Sequence, residues 1–277
     1  MLKRRIVTAL LLLLLVLPAL LHSSSYIFSW ITLLLTGLAA WEWGRLNGCR
    51  SATAAGLGLG LVLLLALFWF FGGLSASLRP LWWLGAVLWL VLGGVMLWRG
   101  VGGWAVWPLL PRLVGGLFLL ALVWLALVQA QQLGFGFLLS VLALVWVADI
   151  AAFAGGKTFG RRKLAPCISP GKSWEGVFSG LLAVFLLAAV WLWADVAGLG
   201  DRSSLYTHLW ALGPAPAVLV LLFLFGMSVV GDLLESLVKR SAGVKDSSRL
   251  LPGHGGVLDR FDSLLPVLPL AMLIATL

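Results

Sequence analysis

Residues 217–262 read AVLVLLFLFGMSVVGDLLESLVKRSAGVKDSSRLLPGHGGVLDRFD, an apolar run that passes directly into a cluster of charged residues and glycines. An apolar segment of about 20 residues is what an α-helix needs to cross a bilayer core about 30 Å thick. Across the chain, 62% of residues are apolar, only 10% are charged, and the mean hydropathy is +1.09. This composition excludes a soluble domain and predicts a polytopic, all-α integral membrane protein.

About nine segments have the length and hydrophobicity of transmembrane helices. Their approximate bounds are 6–22, 26–43, 53–73, 81–98, 110–130, 134–153, 176–193, 217–238 and 262–277. The basic start followed by an apolar run also resembles a signal peptide, but no small-residue cleavage site follows, so we keep it as the first span. We divide the chain into a region of about five spans, 1–133, and a region of about four spans, 134–277, which carries two polar loops, 154–175 and 239–261.

The basic residues are distributed unevenly between the two sides of the membrane. If the N-terminus is inside, every Lys and Arg except Arg79 and Arg202 falls in a segment predicted to be cytoplasmic. Because short loops rich in Lys and Arg stay in the cytoplasm, the pattern predicts a cytoplasmic N-terminus and a C-terminus on the opposite side. The net charge of +9 then reflects this bias and a surface that faces anionic lipid, which argues against nucleic-acid binding.

The first polar loop follows the sixth span, and residues 149–176 read DIAAFAGGKTFGRRKLAPCISPGKSWEG. Asp149 lies in a span, where an acid is costly unless it faces a cavity or a partner, so either a functional role or a salt bridge explains it. The basic, glycine-rich stretch 155–163 can present N–H groups and cations to phosphate, although it has no Walker or Rossmann spacing. Ser173 is predicted to cap the seventh span, and Lys172 beside that helix start favours an anion.

The end of the eighth span carries a polar stripe. Asp232, Glu235 and Lys239 lie on one helical face because they are spaced at i, i+3 and i+7. Glu235 and Lys239 can form an internal ion pair. Asp232 lies deeper and has no cation one turn further on, so a bound metal or a basic residue from another helix must compensate its charge.

The loop after the eighth span combines glycines with carboxylates. The sequence PGHGG at 252–256 allows unusual backbone dihedrals and a close approach to phosphate, while a histidine in such a loop is by itself more often structural. Asp259 and Asp262 lie within one turn of each other. Together with Asp232 they can hold one or two divalent ions against a triphosphate, the arrangement that stabilises phosphoryl or nucleotidyl transfer.

The two polar regions together resemble the signature of the phosphatidate cytidylyltransferases, also called CDP-diacylglycerol synthases. The matching positions of the second region are Ser236, Lys239, Arg240, Lys245, Asp246, Pro252, His254, Gly255, Gly256, Asp259, Arg260 and Asp262. Those of the first region are Asp149, Gly155, Lys157, Gly160, Lys163, Ser169, Pro170, Lys172, Ser173, Glu175 and Gly176. Phe153 stands where many members have tyrosine, and the first five spans match only in hydrophobic character.

The resemblance implies a homodimeric enzyme of the bacterial inner membrane with its active site facing the cytoplasm. Such an enzyme condenses CTP with phosphatidic acid to CDP-diacylglycerol and pyrophosphate. It requires Mg²⁺, and a monovalent cation such as K⁺ can assist. The bilayer supplies the lipid substrate.

The resemblance also implies roles for individual residues. The implied catalytic residues are Asp232, Lys239, Arg240, His254 and Asp259. The implied substrate-binding residues are Lys157, Lys172, Ser173, Lys245, Gly253, Gly255, Gly256 and Arg260. The implied metal ligands are Asp232 and Asp259, with Asp246 and Asp262 as supporting acids, and the further candidates are Asp149, Glu175 and Glu235.

Two other functions are compatible with parts of the sequence. A CTP-dependent lipid kinase would also bring CTP and a lipid to a metal site, but it would release CDP in place of pyrophosphate. A transporter would suit the number of spans. However, transport sites lie near the bilayer midplane, often between repeated halves, whereas this chain has no evident repeat and its acids gather at one membrane face.

Overall fold

The computed structural model describes residues 18–20, 25–199, 203–253 and 255–277. The predicted first span, 6–22, lies outside the described residues except for its short stretch 18–20, and so do Lys3, Arg4, Arg5, Arg202 and His254. The described residues form a helical bundle with one small hairpin. Its helices are α1 (Ser25–Leu46), α2 (Ser51–Phe70), α3 (Arg79–Leu88), α4 (Gly94–Val106), α5 (Leu109–Leu133), α6 (Phe135–Phe159), α7 (Trp174–Val196), α8 (Leu205–Ala211), α9 (Pro214–Ser241) and α10 (Leu264–Ala275).

Within the described ranges, six helical segments are long and apolar enough to cross a membrane. They are α2, the continuous segment Arg79–Val106, α5, α6, α7 and α9. The segment Arg79–Val106 joins α3 to α4 through a π-helical turn, Trp89–Gly93, and bends again at Gly100, whose φ is +70°. Each predicted span from the second to the eighth coincides with a helix, although α1, the helix of the second predicted span, is not among these six.

Helix α10 differs from its prediction as a span over 262–277. It has 12 residues, so at a rise of 1.5 Å per residue it is about 18 Å long, too short to cross the apolar core by itself. Residues 264–273 are all buried, and the helix packs against α3, α5 and α9. A helix that is apolar on every side is expected where protein surrounds it. Helix α10 accordingly lies in the interior of the bundle.

A short hairpin connects α6 to α7. Strand β1 (Lys163–Ala165) pairs in antiparallel fashion with β2 (Ser169–Ser173). The two helices approach closely because glycines face the partner helix, and a Cβ on Gly155 would overlap the Ser179 side chain while one on Gly176 would meet the Ala152 carbonyl. This close packing fixes the hairpin over the end of α6 and brings its lysine to the carboxylates of the neighbouring helices.

Candidate active site

A cavity of about 580 Å³ lies between α6, α7, α9 and the hairpin, within the size range of small-molecule sites. Its lining changes along α9 from Phe225 through Ser228 and Val229 to Asp232, which lies nearer the loop. The polar lining residues are Asp149, Lys157, Ser169, Lys172, Ser173, Ser228, Asp232, Asp259, Arg260 and Asp262. The apolar lining residues are Ala148, Ala152, Phe153, Leu164, Val177, Phe225 and Val229. One cavity therefore offers both charged groups and hydrocarbon contacts.

Asp232 forms an ion pair with Lys172, which lies on β2. Of the two predicted ways to compensate Asp232, a bound metal or a basic residue from another helix, the structure shows a basic residue, but it comes from a strand and not from a helix. Asp149, in α6, lines the same cavity and forms no ion pair with any described residue, so the salt-bridge explanation for it finds no support among them.

Asp262 is one of the four aspartates that line this cavity, with Asp149, Asp232 and Asp259. Burial, and then the neighbouring Asp232 carboxylate, raise the pKa of Asp262 to about 8, although the Ser263 N–H donates a hydrogen bond of 2.7 Å to it. Burial disfavours the charged form of the Asp262 carboxyl, and the nearby Asp232 carboxylate adds to this effect. A cation bound between the two carboxylates would favour their charged forms.

Asp259 is saturated with protein donors. Its Oδ2 accepts hydrogen bonds from the Ser247 N–H at 3.0 Å, the Ser247 hydroxyl at 2.9 Å and the Gly256 N–H at 2.7 Å. Burial alone would raise the pKa of the Asp259 carboxyl, but the hydrogen bonds that Lys239 and the Gly256 N–H donate to it hold the pKa below its usual range. Asp259 thus binds the two ends of the loop together, and ligation of a metal by Asp259 would require it to give up some of these bonds.

Lys239 joins two carboxylates in the interior. Its Nζ forms an ion pair with Glu235, one turn earlier on α9, and donates to Asp259 Oδ1 at 2.6 Å. The side chains of Lys239, Glu235 and Asp259 are 12%, 2% and 8% exposed. The predicted Glu235–Lys239 pair is confirmed, and the lysine charge is used inside the protein because Lys239 does not line the cavity.

The glycines of the second loop have the conformations that the sequence predicts. Gly253 and Gly255 have φ values of +80° and +84°, the left-handed region that favours glycine. The Leu251 N–H donates to the Gly255 carbonyl at 2.8 Å and closes the turn. A Cβ on Gly256 would overlap Ser247 and Glu42, so this position has no room for a side chain.

The first polar region is more regular than predicted. Helix α6 continues to Phe159, so Gly155, Gly156 and Lys157 belong to a helix and not to a flexible loop. Ser173 caps α7 as predicted, since its hydroxyl accepts the Gly176 N–H at 3.2 Å.

Glu175 links the hairpin to α7. Its carboxylate accepts hydrogen bonds from the backbone N–H groups of Arg161 at 3.0 Å and Arg162 at 3.2 Å. Glu175 is therefore placed to hold the basic turn that precedes β1.

The predicted site residues divide into two groups by position. Those that line the cavity are Asp149, Lys157, Lys172, Ser173, Asp232, Asp259, Arg260 and Asp262. Those described residues that do not line it are Glu175, Glu235, Lys239, Arg240, Lys245, Asp246, Gly253, Gly255 and Gly256. Arg240, Lys245 and Asp246 are exposed to solvent, and their predicted roles, in catalysis, substrate binding and metal binding respectively, remain predictions.

Comparison with known proteins decides the family. The model of the cytidylyltransferase family matches residues 3–277. The chain belongs to this family. It is 41% identical over 281 residues to the phosphatidate cytidylyltransferase of Pseudomonas aeruginosa, an alignment that covers 97% of this chain and 95% of that protein.

Two further relatives of this cytidylyltransferase match over shorter lengths. The phosphatidate cytidylyltransferase of Haemophilus influenzae is 46% identical over 137 residues, which cover 49% of this chain and 44% of that protein. The enzyme of the same name from Staphylococcus epidermidis is 41% identical over 143 residues, which cover 51% and 50%. The resemblance inferred from the two polar regions is confirmed.

This cytidylyltransferase contains a buried acid that our sequence analysis missed. Glu42, on α1, is 0% exposed and accepts hydrogen bonds from the loop after α9, far away in the sequence. It falls within the predicted span 26–43, so the rule that draws attention to Asp149, an acid inside an apolar span, applies equally to Glu42.

The carboxylates that the structure describes do not form a closed metal site. Among the described residues, no three His, Cys, Asp or Glu side chains are grouped to ligate one ion. Magnesium, however, is usually held by one or two carboxylates, with waters and substrate phosphates as the other ligands. The acids around the cavity fit that open type of site.

Proposed function

We propose that this protein condenses CTP with phosphatidic acid and releases CDP-diacylglycerol and pyrophosphate. The observation that carries the proposal is the mixed lining of the cavity, where Asp232 and Lys172 lie close to Phe225 and Val229. A nucleotide needs the charged part and a lipid the apolar part. Membership of the cytidylyltransferase family, and 41% identity to a phosphatidate cytidylyltransferase, support the same reaction.

The reaction joins two phosphorylated molecules that repel each other. A phosphomonoester oxygen of phosphatidic acid attacks the α-phosphorus of CTP, and the bond between that phosphorus and the bridging oxygen to the β-phosphate breaks, so pyrophosphate leaves. The second pKa of a phosphomonoester is about 6, so the attacking oxygen is already ionised at neutral pH and needs no strong base. The task of the site is therefore electrostatic: it must offset charge and hold the reactants in line.

The basic residues that line the cavity supply part of this charge. Lys157 and Lys172 enter it from α6 and β2, and Arg260 enters from the second loop. We assign the triphosphate to this side of the cavity, with Ser173 as a neutral hydrogen-bonding group. The loop after α9 is then assigned to the nucleotide. Its proposed binding residues are Lys245, Gly253, Gly255 and Gly256, and the proposed catalytic residues beside them are His254 and Arg240.

We assign Mg²⁺ to Asp232 and Asp262, with Asp149 as the third acid beside them. Hard carboxylate oxygens suit this ion, and Asp149, Asp232 and Asp262 line the same cavity. Bound there, Mg²⁺ would neutralise charge on the phosphates and on the leaving group. Asp259, predicted as a primary ligand together with Asp232, takes a supporting role in this proposal because its Oδ2 already accepts three hydrogen bonds. Asp246 stays a predicted supporting ligand, and a monovalent cation such as K⁺ is proposed beside them.

We further propose that the first eight predicted spans cross the bilayer, with a cytoplasmic N-terminus, an active site on the cytoplasmic side of the inner membrane, and a homodimer; the short, buried helix α10 is not counted as a span. The distribution of Lys and Arg supports the orientation. A cytoplasmic site also gives CTP direct access, while the lipid head group stays at the interface.

The purified protein should convert α-labelled CTP and phosphatidic acid into labelled liponucleotide and one equivalent of pyrophosphate. Chelation of divalent ions should abolish the reaction, and Mg²⁺ should restore it, because without a cation the carboxylates of the site repel the phosphates of both substrates. Release of CDP without labelled lipid would indicate the lipid kinase. Absence of any CTP turnover, together with flux of a solute across proteoliposomes, would indicate a transporter.

Cys167 provides a test of the orientation. It is exposed in the hairpin, beside the proposed site. A membrane-impermeant maleimide should label it in inside-out vesicles and not in intact spheroplasts. Because Cys49 is predicted on the same side, Cys49→Ser isolates the Cys167 signal, and the variant lacking both cysteines gives the background. Labelling in intact spheroplasts would overturn the cytoplasmic assignment.

A further inference from the structure

We propose that Glu42 is a positioning residue that holds the nucleotide side of the active site from the N-terminal part of the chain. It lies on α1, whereas all residues that line the cavity come from position 148 onwards. The inference rests on the proposed function because it assigns the loop that Glu42 holds to CTP.

The Glu42 carboxylate accepts four hydrogen bonds from residues on both sides of the PGHGG turn. Its Oε1 accepts the Ser248 hydroxyl at 2.5 Å and the Val257 N–H at 3.0 Å. Its Oε2 accepts the Ser247 hydroxyl at 3.1 Å and the Leu258 N–H at 2.7 Å. One rigid helix therefore fixes both the entry and the exit of this loop.

The bonds of Glu42 continue into the active site. The Ser247 hydroxyl lies between two carboxylates, 3.1 Å from Glu42 Oε2 and 2.9 Å from Asp259 Oδ2. Gly256, whose N–H donates to Asp259, leaves no space for a side chain next to Glu42. A displacement of Glu42 would thus move Asp259 and, directly after it, Arg260, which lines the cavity.

An amide cannot replace this carboxylate without conflict. Each oxygen of Glu42 accepts one backbone N–H, from Val257 or from Leu258. In Glu42→Gln, either orientation of the amide turns its NH₂ group towards one of these N–H groups, so two donors face each other. A buried donor left without an acceptor is costly, and the loop is expected to shift in response.

The hydrogen bonds of Glu42 reach the part of the site assigned to the nucleotide and not the part assigned to the lipid. Glu42 contacts the loop that precedes Arg260, but it makes no hydrogen bond to the described residues of α6, α7 or α9 that form the apolar lining. Loss of its carboxylate should therefore weaken CTP binding more than lipid binding. A residue that only stabilised the fold would reduce the amount of active protein and leave both KM values unchanged.

The test uses the full-length protein in detergent or nanodiscs. Glu42→Gln should raise the KM for CTP by about tenfold or more, the effect of losing a hydrogen bond to a charged group, while the KM for phosphatidic acid changes less than about threefold. Thr36→Val is the matched control, because Thr36 is a buried residue of the same helix whose hydroxyl bonds only within it, to Thr32. It should keep both KM values.

A second measurement does not depend on activity. Lys245 and Arg249 are exposed in the loop that Glu42 holds, so trypsin should cleave there faster in Glu42→Gln than in Thr36→Val. If wild-type protein makes no CDP-diacylglycerol, the proposed function fails while this comparison still decides the role of Glu42. If wild-type protein is active but Glu42→Gln matches Thr36→Val in both KM and cleavage, the inference is overturned.

Ser248→Ala covers the case in which Glu42→Gln does not fold. Ser248 donates one of the four bonds to Glu42 and is partly buried, so its loss is milder. This variant should raise the KM for CTP by about threefold and increase tryptic cleavage, in the same direction as Glu42→Gln. Wild-type values for both quantities would contradict the proposal.

Discussion

Replacing Asp232 with asparagine is expected to lower the rate of CDP-diacylglycerol formation by at least about 10³-fold, since metal and charge contacts at a reacting phosphate contribute several kcal/mol. The variant loses one of the two carboxylates assigned to Mg²⁺ and also the ion pair with Lys172. It should still insert and fold, because the Asp232 side chain is 28% exposed and makes few other contacts. Initial rates over a range of Mg²⁺ concentrations measure the effect.

Ser228→Ala is a suitable control for this variant. Ser228 lies one turn deeper on the same helix and lines the same cavity, but its hydroxyl donates to the Phe225 carbonyl. We expect its activity to stay within about threefold of wild type, as a neutral, locally bonded hydroxyl carries no charge to the phosphates. Near-normal turnover of Asp232→Asn would remove Asp232 from the metal site.

Of the substitutions proposed, Lys239→Gln should lower the free energy of unfolding the most. The change leaves the Glu235 and Asp259 carboxylates close together and buried without the cation that joins them. Removing one partner of a buried ion pair costs about 3–5 kcal/mol, because the remaining charge is not compensated. The loss is measured by heating the protein in detergent and recording how much soluble, monodisperse protein remains at each temperature.

A second substitution distinguishes this explanation from a catalytic role of Lys239. In Lys239→Gln with Glu235→Gln, the Asp259 carboxylate keeps its three donors from Ser247 and Gly256, so much of the stability should return. If the double variant is as unstable as the single one, the ion-pair explanation is wrong. If it is stable but inactive, the predicted catalytic role of Lys239 gains support.

The sequence predicted the helices well because hydrophobicity and length are local properties. Helix α5, Leu109–Leu133, lies where an apolar run predicted a span over 110–130, and Ser173 caps α7 at the predicted position. Helix α10 shows the limit of this reasoning. An apolar run has the same composition whether lipid or protein surrounds it, so its length and burial had to come from the structure.

The sequence identified acids that line the cavity, but it did not identify the residues with which the buried acids pair. Asp149, Asp232 and Asp262 do line one cavity, as acids in apolar surroundings suggest. In contrast, the partner of Asp232 is Lys172, 60 residues earlier in the chain, and the partners of Glu42 are more than 200 residues later. Such pairs depend on tertiary packing, for which hydropathy and spacing give no signal.

The position of α10 has a consequence for how the protein is made. Ribosomes release α10 after every other described helix, yet α3, α5 and α9 all pack around it. Lipid gives spanning helices little hydrophobic reason to associate, so the faces of α3, α5 and α9 that contact α10 should complete their packing only after α10 has been made. Docking of α10 is therefore expected to be a late step of assembly, which fills the interior of the bundle at the end of the loop that follows α9.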